Sequence, residues 1–258
     1  MLALVSPAKK LDFETPWNCE EVSQSDFLDD TQELVNTAKT LPKDRLQSLM
    51  KLSDKLGELN YARYQNFSLP FAPDNAKPAV YTFRGDTYVG LDADTLSDDD
   101  MAFAQTHFRM LSGLYGMLRP LDLMQPYRLE MGTKLSNQRG EDLYDFWGDI
   151  LTRACNDITQ GHKDRSVISL ASNEYIKSIQ PKALDGAFIT CHFKEIKNGA
   201  PKVIGLFAKR ARGAMARYMI QNRIEKPEGL KSFDTDGYVF QDDLSDATNY
   251  VFIRNQES

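Results

Sequence analysis

Apolar and polar positions along the 258 residues switch between a helical and an alternating period, and the switches mark the predicted elements. The run "MLALV" predicts a short buried strand ending at Ser6-Pro7, where the loop "SPAKK" begins. From position 25 to about 67 the spacing predicts two helices, the second opening at Pro42, whose fixed φ suits a first helical turn. "KPAVYTFRGDTYVGL" reads as strands around 80–83 and 87–90, with Gly85-Asp86 turning between them. Ser97 caps the next helix, with Asp100 in the capping-box position and Asp98 and Asp99 at the positive end of the dipole. That helix is predicted to run to about 112 and stop at Gly113.

Further on, "EDLYDFWGDILTRACNDI" has helical apolar spacing, and "SVISLAS" is a buried strand feeding Asn173 at the cap of a short helix, "EYIKSI". "FITCHFKEIKNGAPKVIGLF" alternates, turns at Asn198-Gly199 and returns, which predicts a hairpin. A helix over 208–224 follows, and "YVFQDD" with "NYVFIRN" predicts a second hairpin near the C-terminus. With no repeat, low-complexity tract or long linker, the pattern predicts one mixed α/β (α+β) domain over 1–258, a central β-sheet flanked by helices.

The stretch "LSGLYGMLRPLDLMQPYRLEMG", positions 111–132, fits neither an ordinary loop nor an ordinary helix, because Pro120 and Pro126 lie close to Gly113, Gly116 and Gly132. A helix that ends in a glycine turn and resumes beyond it aims backbone N–H groups at a phosphate, so Gly113 and Gly116 are candidate phosphate contacts in a helix-hairpin-helix-like element. Arg109, Arg119 and Arg128 add charge nearby. The Gly-x-x-Gly spacing is one residue longer than the usual Gly-x-Gly of such elements. In "YRLEMG", strand alternation places Arg128 and Glu130 on one side and Tyr127, Leu129 and Met131 on the other.

Composition narrows the class: 41% hydrophobic and 26% charged residues are those of a globular protein, and no apolar run approaches the roughly 18 residues a membrane helix needs. The N-terminus has no basic leader and meets Pro7 early, so a cytoplasmic protein without a signal peptide is expected. Cys19, Cys155 and Cys191 are far apart, suggesting neither a disulfide framework nor a thiolate zinc site.

Net charge is −6, yet it is unevenly distributed. Residues 11–38 carry Asp12, Glu14, Glu20, Glu21, Asp26, Asp29, Asp30 and Glu33 and no Lys or Arg, whereas 208–224 carry Lys209, Arg210, Arg212, Arg217 and Arg223 and no acid. At 100° per residue Lys209, Arg212 and Arg223 fall together with Arg210 and Arg217 beside them, opposite Ala208, Ala211, Met215, Tyr218 and Met219. Phosphate backbone is the natural partner of such a face; a solvated face paired with the acidic N-terminal third is the alternative.

Ser6, Lys9, Asp86, Arg119, Ser172, Glu174, Tyr175 and Lys177 sit at or just beyond predicted strand ends, where α/β ligand sites form. Lys9, Arg128, Glu130 and Tyr175 are the candidates for chemistry, Lys9 as a nucleophile if burial lowers its pKa and Glu130 as acid or base. Ser6, Asp86, Tyr115, Ser172 and Lys177 are candidate pocket residues. Nucleophile elbows, phosphate loops, zinc-helix motifs and dinucleotide fingerprints are absent. His107, His162 and His192 look isolated, and adjacent Cys191 and His192 point to opposite strand faces, so no metal and no cofactor is expected.

"SPAKKLDF", "FRGDTYVGL", "LSGLYGMLRPLDLMQPYRLEMG", "LYDFWGDI", "LASNEYIKSI" and "FAKRARGAMARYMIQNR" together resemble the YaaA family of bacterial peroxide-stress proteins over the whole chain. The resemblance implies a cytoplasmic protein that helps bacteria survive hydrogen peroxide and lowers free intracellular iron, with a mixed α/β fold, a helix-hairpin-helix-like element, a positively charged cleft and DNA binding. Two readings follow. In one the protein binds DNA through Lys209, Arg210, Arg212 and Arg217, with weak sequence preference and a preference for distorted or partly opened duplex whose bases rest on Tyr115, Tyr127 or Trp147. In the other it is an enzyme acting on a nucleotide, nucleobase or damaged DNA in the same basic cleft.

Overall fold

The computed structural model describes residues 1–17, 19 and 21–255, so Glu20 of the acidic segment lies outside the described residues. Eight strands form one mixed sheet: β1 (Leu2–Val5), β2 (Phe108–Ser112), β3 (Gly116–Leu118), β4 (Val167–Leu170), β5 (Phe188–Lys197), β6 (Ala200–Lys202), β7 (Val239–Phe240) and β8 (Asn249–Arg254). Their order is β7-β8-β5-β4-β1-β2-β3, with β6 paired to the far end of β5. The five strands β2, β1, β4, β5 and β8 run parallel, and β3 and β7 close the edges antiparallel. β1 and β4 are buried at every residue, which is why their sequences are apolar apart from Ser169, whereas β5 is buried at every second position and alternates. Asn198 (φ 56°) and Gly199 (φ 73°) supply the two left-handed residues of the predicted β5–β6 turn, and the second hairpin forms between β7 and β8.

The helices are α1 (Leu28–Lys39), α2 (Lys43–Leu49), α3 (Asp54–Asn66), α4 (Ala79–Thr82), α5 (Asp86–Leu91), α6 (Asp98–His107), α7 (Leu143–Trp147), α8 (Ile150–Thr159), α9 (Asn173–Ile176) and α10 (Gly205–Gln221). The region read as two helices is three, because Lys51 adopts a left-handed φ of 52° and Ser53 starts a new helix. α7 and α8 are likewise separated at Gly148. The capping box at Ser97 is present: Ser97 Oγ accepts from the Asp100 N–H at 3.2 Å and Asp100 Oδ2 from the Ser97 N–H at 3.1 Å.

Three expectations are corrected. The strands read at 80–83 and 87–90 are largely α4 and α5, with only Phe83–Arg84 extended and paired to Lys10–Leu11. Packing overrides the β-branched composition here, because α5 lies backbone to backbone on α10. A Cβ on Gly90 would sit 2.0 Å from the Arg210 carbonyl oxygen, and one on Gly213 would sit 1.7 Å from that of Thr87. Second, α6 ends at His107 and the chain passes into β2, whose buried Phe108, Met110 and Leu111 complete the sheet beside β1.

Third, the helix-hairpin-helix-like element is instead a β-hairpin of β2 and β3. Its turn is internal to the core: Ser112 Oγ accepts the N–H groups of Leu114 and Tyr115, and Gly116 takes φ 66° with the Trp147 ring where a Cβ would be. The Gly113 carbonyl accepts the Trp147 indole N–H at 3.1 Å. Gly113 and Gly116 are therefore buried and meet no solvent-borne phosphate.

Candidate ligand site at the strand ends

β1 and β4 end side by side, Val5 opposite Leu170, and the chain turns outward at Ser6 and Ser172. Ser6 Oγ accepts the Ser172 N–H at 2.8 Å, and the Ser6 carbonyl accepts the Tyr88 hydroxyl at 3.0 Å. Crevices at the carboxyl ends of parallel strands are where α/β folds bind ligands. A cavity of about 360 Å³ opens here between Ser6 to Lys10, Arg84 to Tyr88 at the start of α5, Ser172, Tyr175, and Lys209 and Arg212 of α10. A recess of about 70 Å³ adjoins it, sharing Pro7, Ala8, Lys9 and Tyr175 and bounded by Tyr127 to Glu130 and Glu174.

The larger cavity is cationic: Lys9, Lys10, Arg84, Lys209 and Arg212 line it against Asp86 alone. Lys9 Nζ lies 3.2 Å from Glu130 Oε1, the same oxygen that accepts from Arg128 Nε at 3.1 Å. Arg84 is divided between Asp12 at 3.3 Å and Asp94 at 3.4 Å. Lys209, Arg210 and Arg212 make no ion pair among the described residues. Burial lowers the pKa of the Arg212 guanidinium, the mark of a cation that has lost water without gaining a counter-charge. Burial raises the pKa of Tyr88, Tyr127 and Tyr175, which keeps all three as hydroxyl donors.

Of the residues singled out in the sequence, Ser6, Lys9, Asp86, Ser172, Tyr175, Lys209 and Arg212 line the larger cavity, and Arg128, Glu130 and Glu174 line the recess. Arg128 and Glu130 share one side of an extended segment outside the sheet, over buried Tyr127, Leu129 and Met131, as the alternation predicts. The Lys9 side chain is 68% exposed, so the burial its nucleophile role requires is missing. Arg210 is exposed beside the cavity, and Lys177 is exposed at the end of α9 without lining either space.

The other cations are spoken for. Arg109 is buried and donates to the carbonyls of Gln105 and Phe108, burial lowering its pKa to about 10. Arg119 pairs with Asp122 and Asp26, both at 3.0 Å. Arg217 donates to the Leu91 and Asp92 carbonyls that end α5, and Arg223, past the end of α10, pairs with Asp100 at 2.6 Å. Tyr115 and Trp147 are fully buried, and Tyr127 nearly so, its hydroxyl 2.6 Å from Ser112 Oγ; none offers a face for stacking an unpaired base. A wider groove of about 890 Å³ beyond Lys10 and Arg84 is acidic, with Asp12, Glu14, Asp86, Asp92 and Asp94 against Lys10, Arg63 and Arg84. The five-cation stripe read from the sequence is thus reduced to Lys209, Arg210 and Arg212.

Lys10, Arg84 and Tyr88 belong to the cavity and were not anticipated; the signal that could have found them is "FRGDTY", where α5 starts directly after the strand end at Phe83–Arg84. Two histidines are not isolated: the His107 and His162 rings stack at 4.2 Å, and His107 Nε2 and His162 Nδ1 have no hydrogen-bond partner among the described residues. Burial lowers both, His162 to about 4, with the Met1 ammonium adding to the effect. The unfolded chain, titrating near ~6.5, binds more protons between those values, so this stability is present above about 6.5 and lost as pH falls toward about 4. Thermal melting followed from pH 7 to 4 should show the midpoint falling through this window, and replacing both rings by Phe should flatten that limb. An unchanged limb would show that the pair does not titrate on unfolding. His192, across the strand from buried Cys191, places Nε2 3.0 Å from Asn249 Oδ1.

The family described as "Peroxide stress protein YaaA" matches residues 1–244. A UPF0246 protein of Alteromonas mediterranea is 55% identical over 258 residues, covering 100% of both chains. UPF0246 proteins of Saccharophagus degradans (54% over 256 residues, 99% of this chain and 100% of the relative) and Aliivibrio fischeri strain MJ11 (51% over 258 residues, 100% of both) are similar along the same length.

Proposed function

This chain belongs to the peroxide stress protein YaaA family, and from that premise we propose that it serves the oxidative stress response by binding DNA through its phosphate backbone and so limits iron-dependent damage to it. The observation that carries the reading is the cluster Lys209, Arg210 and Arg212, three neighbouring cations on α10 without ion pairs among the described residues, in a chain whose net charge is −6. In an acidic protein, cations that the fold leaves without carboxylates are placed for an anion from outside. Their contacts reach phosphates, so little base sequence is read.

The experiment is a salt titration of duplex binding by the full-length protein. Three phosphate contacts give a slope of log affinity against log salt near −3, roughly 0.9 per contact. Absence of binding at low salt, or binding indifferent to salt, would overturn the reading. In this reading protection is assigned to the DNA, and the effect on iron is indirect. Stoichiometric iron in the purified protein would contradict that assignment.

A second reading, catalysis on a nucleotide, nucleobase or damaged DNA, is favoured by one observation: Glu130 lies between Lys9 and Arg128 on the wall of a concave site. A new product from oxidised oligonucleotides or nucleotides, lost in Glu130→Gln, would establish it.

A further inference from the structure

We infer that the cavity at the ends of β1 and β4 is a binding site for a nucleoside monophosphate, its phosphate on Arg212 and Lys209 and its base toward Glu130. This deepens the DNA reading above, since the nucleotide comes either free or as one residue extruded from a strand held by α10. About 360 Å³ with an adjoining 70 Å³ falls within the roughly 300–1,000 Å³ of small-molecule pockets and is far too narrow for a duplex. At one wall the Arg212 fork and the Lys209 ammonium have no carboxylate partner among the described residues, and a guanidinium beside an ammonium matches a phosphate's oxygens.

The adjoining recess offers an acceptor instead of a cation. Glu130 lines the recess; its Oε1 takes both Lys9 and Arg128, while Oε2 makes no hydrogen bond among the described residues and is left as an acceptor. A nucleobase brings N–H donors to such an oxygen; a second or third phosphate finds Lys9 already on Glu130 and Arg84 already on Asp12 and Asp94, and meets Asp86. Tyr88 and Tyr175, buried but bordering the space, supply the apolar walls between the two ends. A single phosphate with a base attached fits both ends; inorganic phosphate fits only one.

The test is calorimetric titration of the full-length protein with the four deoxynucleoside 5′-monophosphates, their triphosphates and inorganic phosphate. At least one monophosphate is expected to bind about tenfold tighter than both its triphosphate and inorganic phosphate. Arg212→Gln should weaken it about tenfold, and Glu130→Gln should reorder the four bases. Should Arg212→Gln lower the melting temperature, the exposed Lys209→Ala serves in its place. Monophosphates binding no tighter than inorganic phosphate, or unaffected by either cation, would overturn the inference. The source is read from a duplex carrying 2-aminopurine opposite a mismatch: a fluorescence rise on binding, reversed by excess monophosphate, assigns an extruded nucleotide, and no rise assigns the free one. Loss of duplex binding with monophosphate binding intact removes the DNA reading alone; the converse removes this inference alone.

Discussion

Reversing Lys209 and Arg212 together to Glu is expected to weaken duplex binding about a hundredfold at 0.1 M salt and to reduce the salt slope by about two. Each reversal removes a phosphate contact and substitutes a repulsion, and neither severs a protein ion pair among the described residues. That separates the pair from Arg119, Arg217 and Arg223, whose replacement removes the cation paired with Asp122, Asp92 or Asp100 and changes stability along with binding. The double Gln variant should fall between, because it loses the contacts without the repulsion. Fluorescence anisotropy with a labelled duplex at several salt concentrations measures both quantities. Duplex affinity unchanged by the double reversal, with the fold intact by circular dichroism, would remove α10 as the binding face.

How far the sequence discloses this site depends on the kind of information each residue carries. Strand-end positions are local: an apolar run stopping at Ser6-Pro7 or at Ala171-Ser172 marks where a parallel strand leaves the sheet, and both stops border the cavity. The Arg128–Glu130 pair is legible because two-residue alternation needs only an extended backbone, and 125–130 is extended without being part of a sheet. Charge is different. Helical geometry places Arg217 on the basic face of α10, but whether it remains available is decided by Asp92, more than a hundred residues earlier in the chain. The same applies to Arg119 with Asp26, and to Arg109, which sits on a strand where a helix was expected.

The misread elements share a physical cause. Val80, Tyr81, Thr87, Tyr88 and Val89 have the composition of strands, and the glycine between them looks like a turn. Thr87, Tyr88 and Val89 are helical because α5 is seated against α10 at two glycines, while Val80 and Tyr81 lie in the single turn of α4. Similarly Gly113 and Gly116 resemble an exposed phosphate-binding turn only until Trp147 is brought onto them by α7. Gly90, Gly113, Gly116 and Gly213 each mark a place where something approaches the backbone closely. Whether that something is a phosphate, an indole or another helix is a property of the fold.

Gly213→Ala tests the most demanding of these contacts, and it should destabilise the protein by about 3 kcal/mol, lowering the melting temperature by roughly 6–12 °C. The added methyl would lie 1.7 Å from the Thr87 carbonyl oxygen and 2.7 Å from the Leu91 nitrogen, both backbone atoms, so no side-chain rotation relieves the clash. α5 and α10 must separate. Intrinsic propensity alone predicts the opposite sign, since Ala is favoured over Gly in a helix interior by about 1 kcal/mol. Gly205→Ala, at the exposed start of the same helix with nothing within 4 Å of the new methyl, is the control and should be neutral or slightly stabilising. The consequence also reaches the site: α5 carries Asp86 and Tyr88 and α10 carries Lys209 and Arg212, so separating the helices pulls the two walls of the cavity apart. Ligand affinity in Gly213→Ala should therefore fall even at temperatures where the variant is fully folded, whereas a purely global loss of stability would leave it unchanged there. Thermal melts paired with binding measurements well below the midpoint distinguish the two.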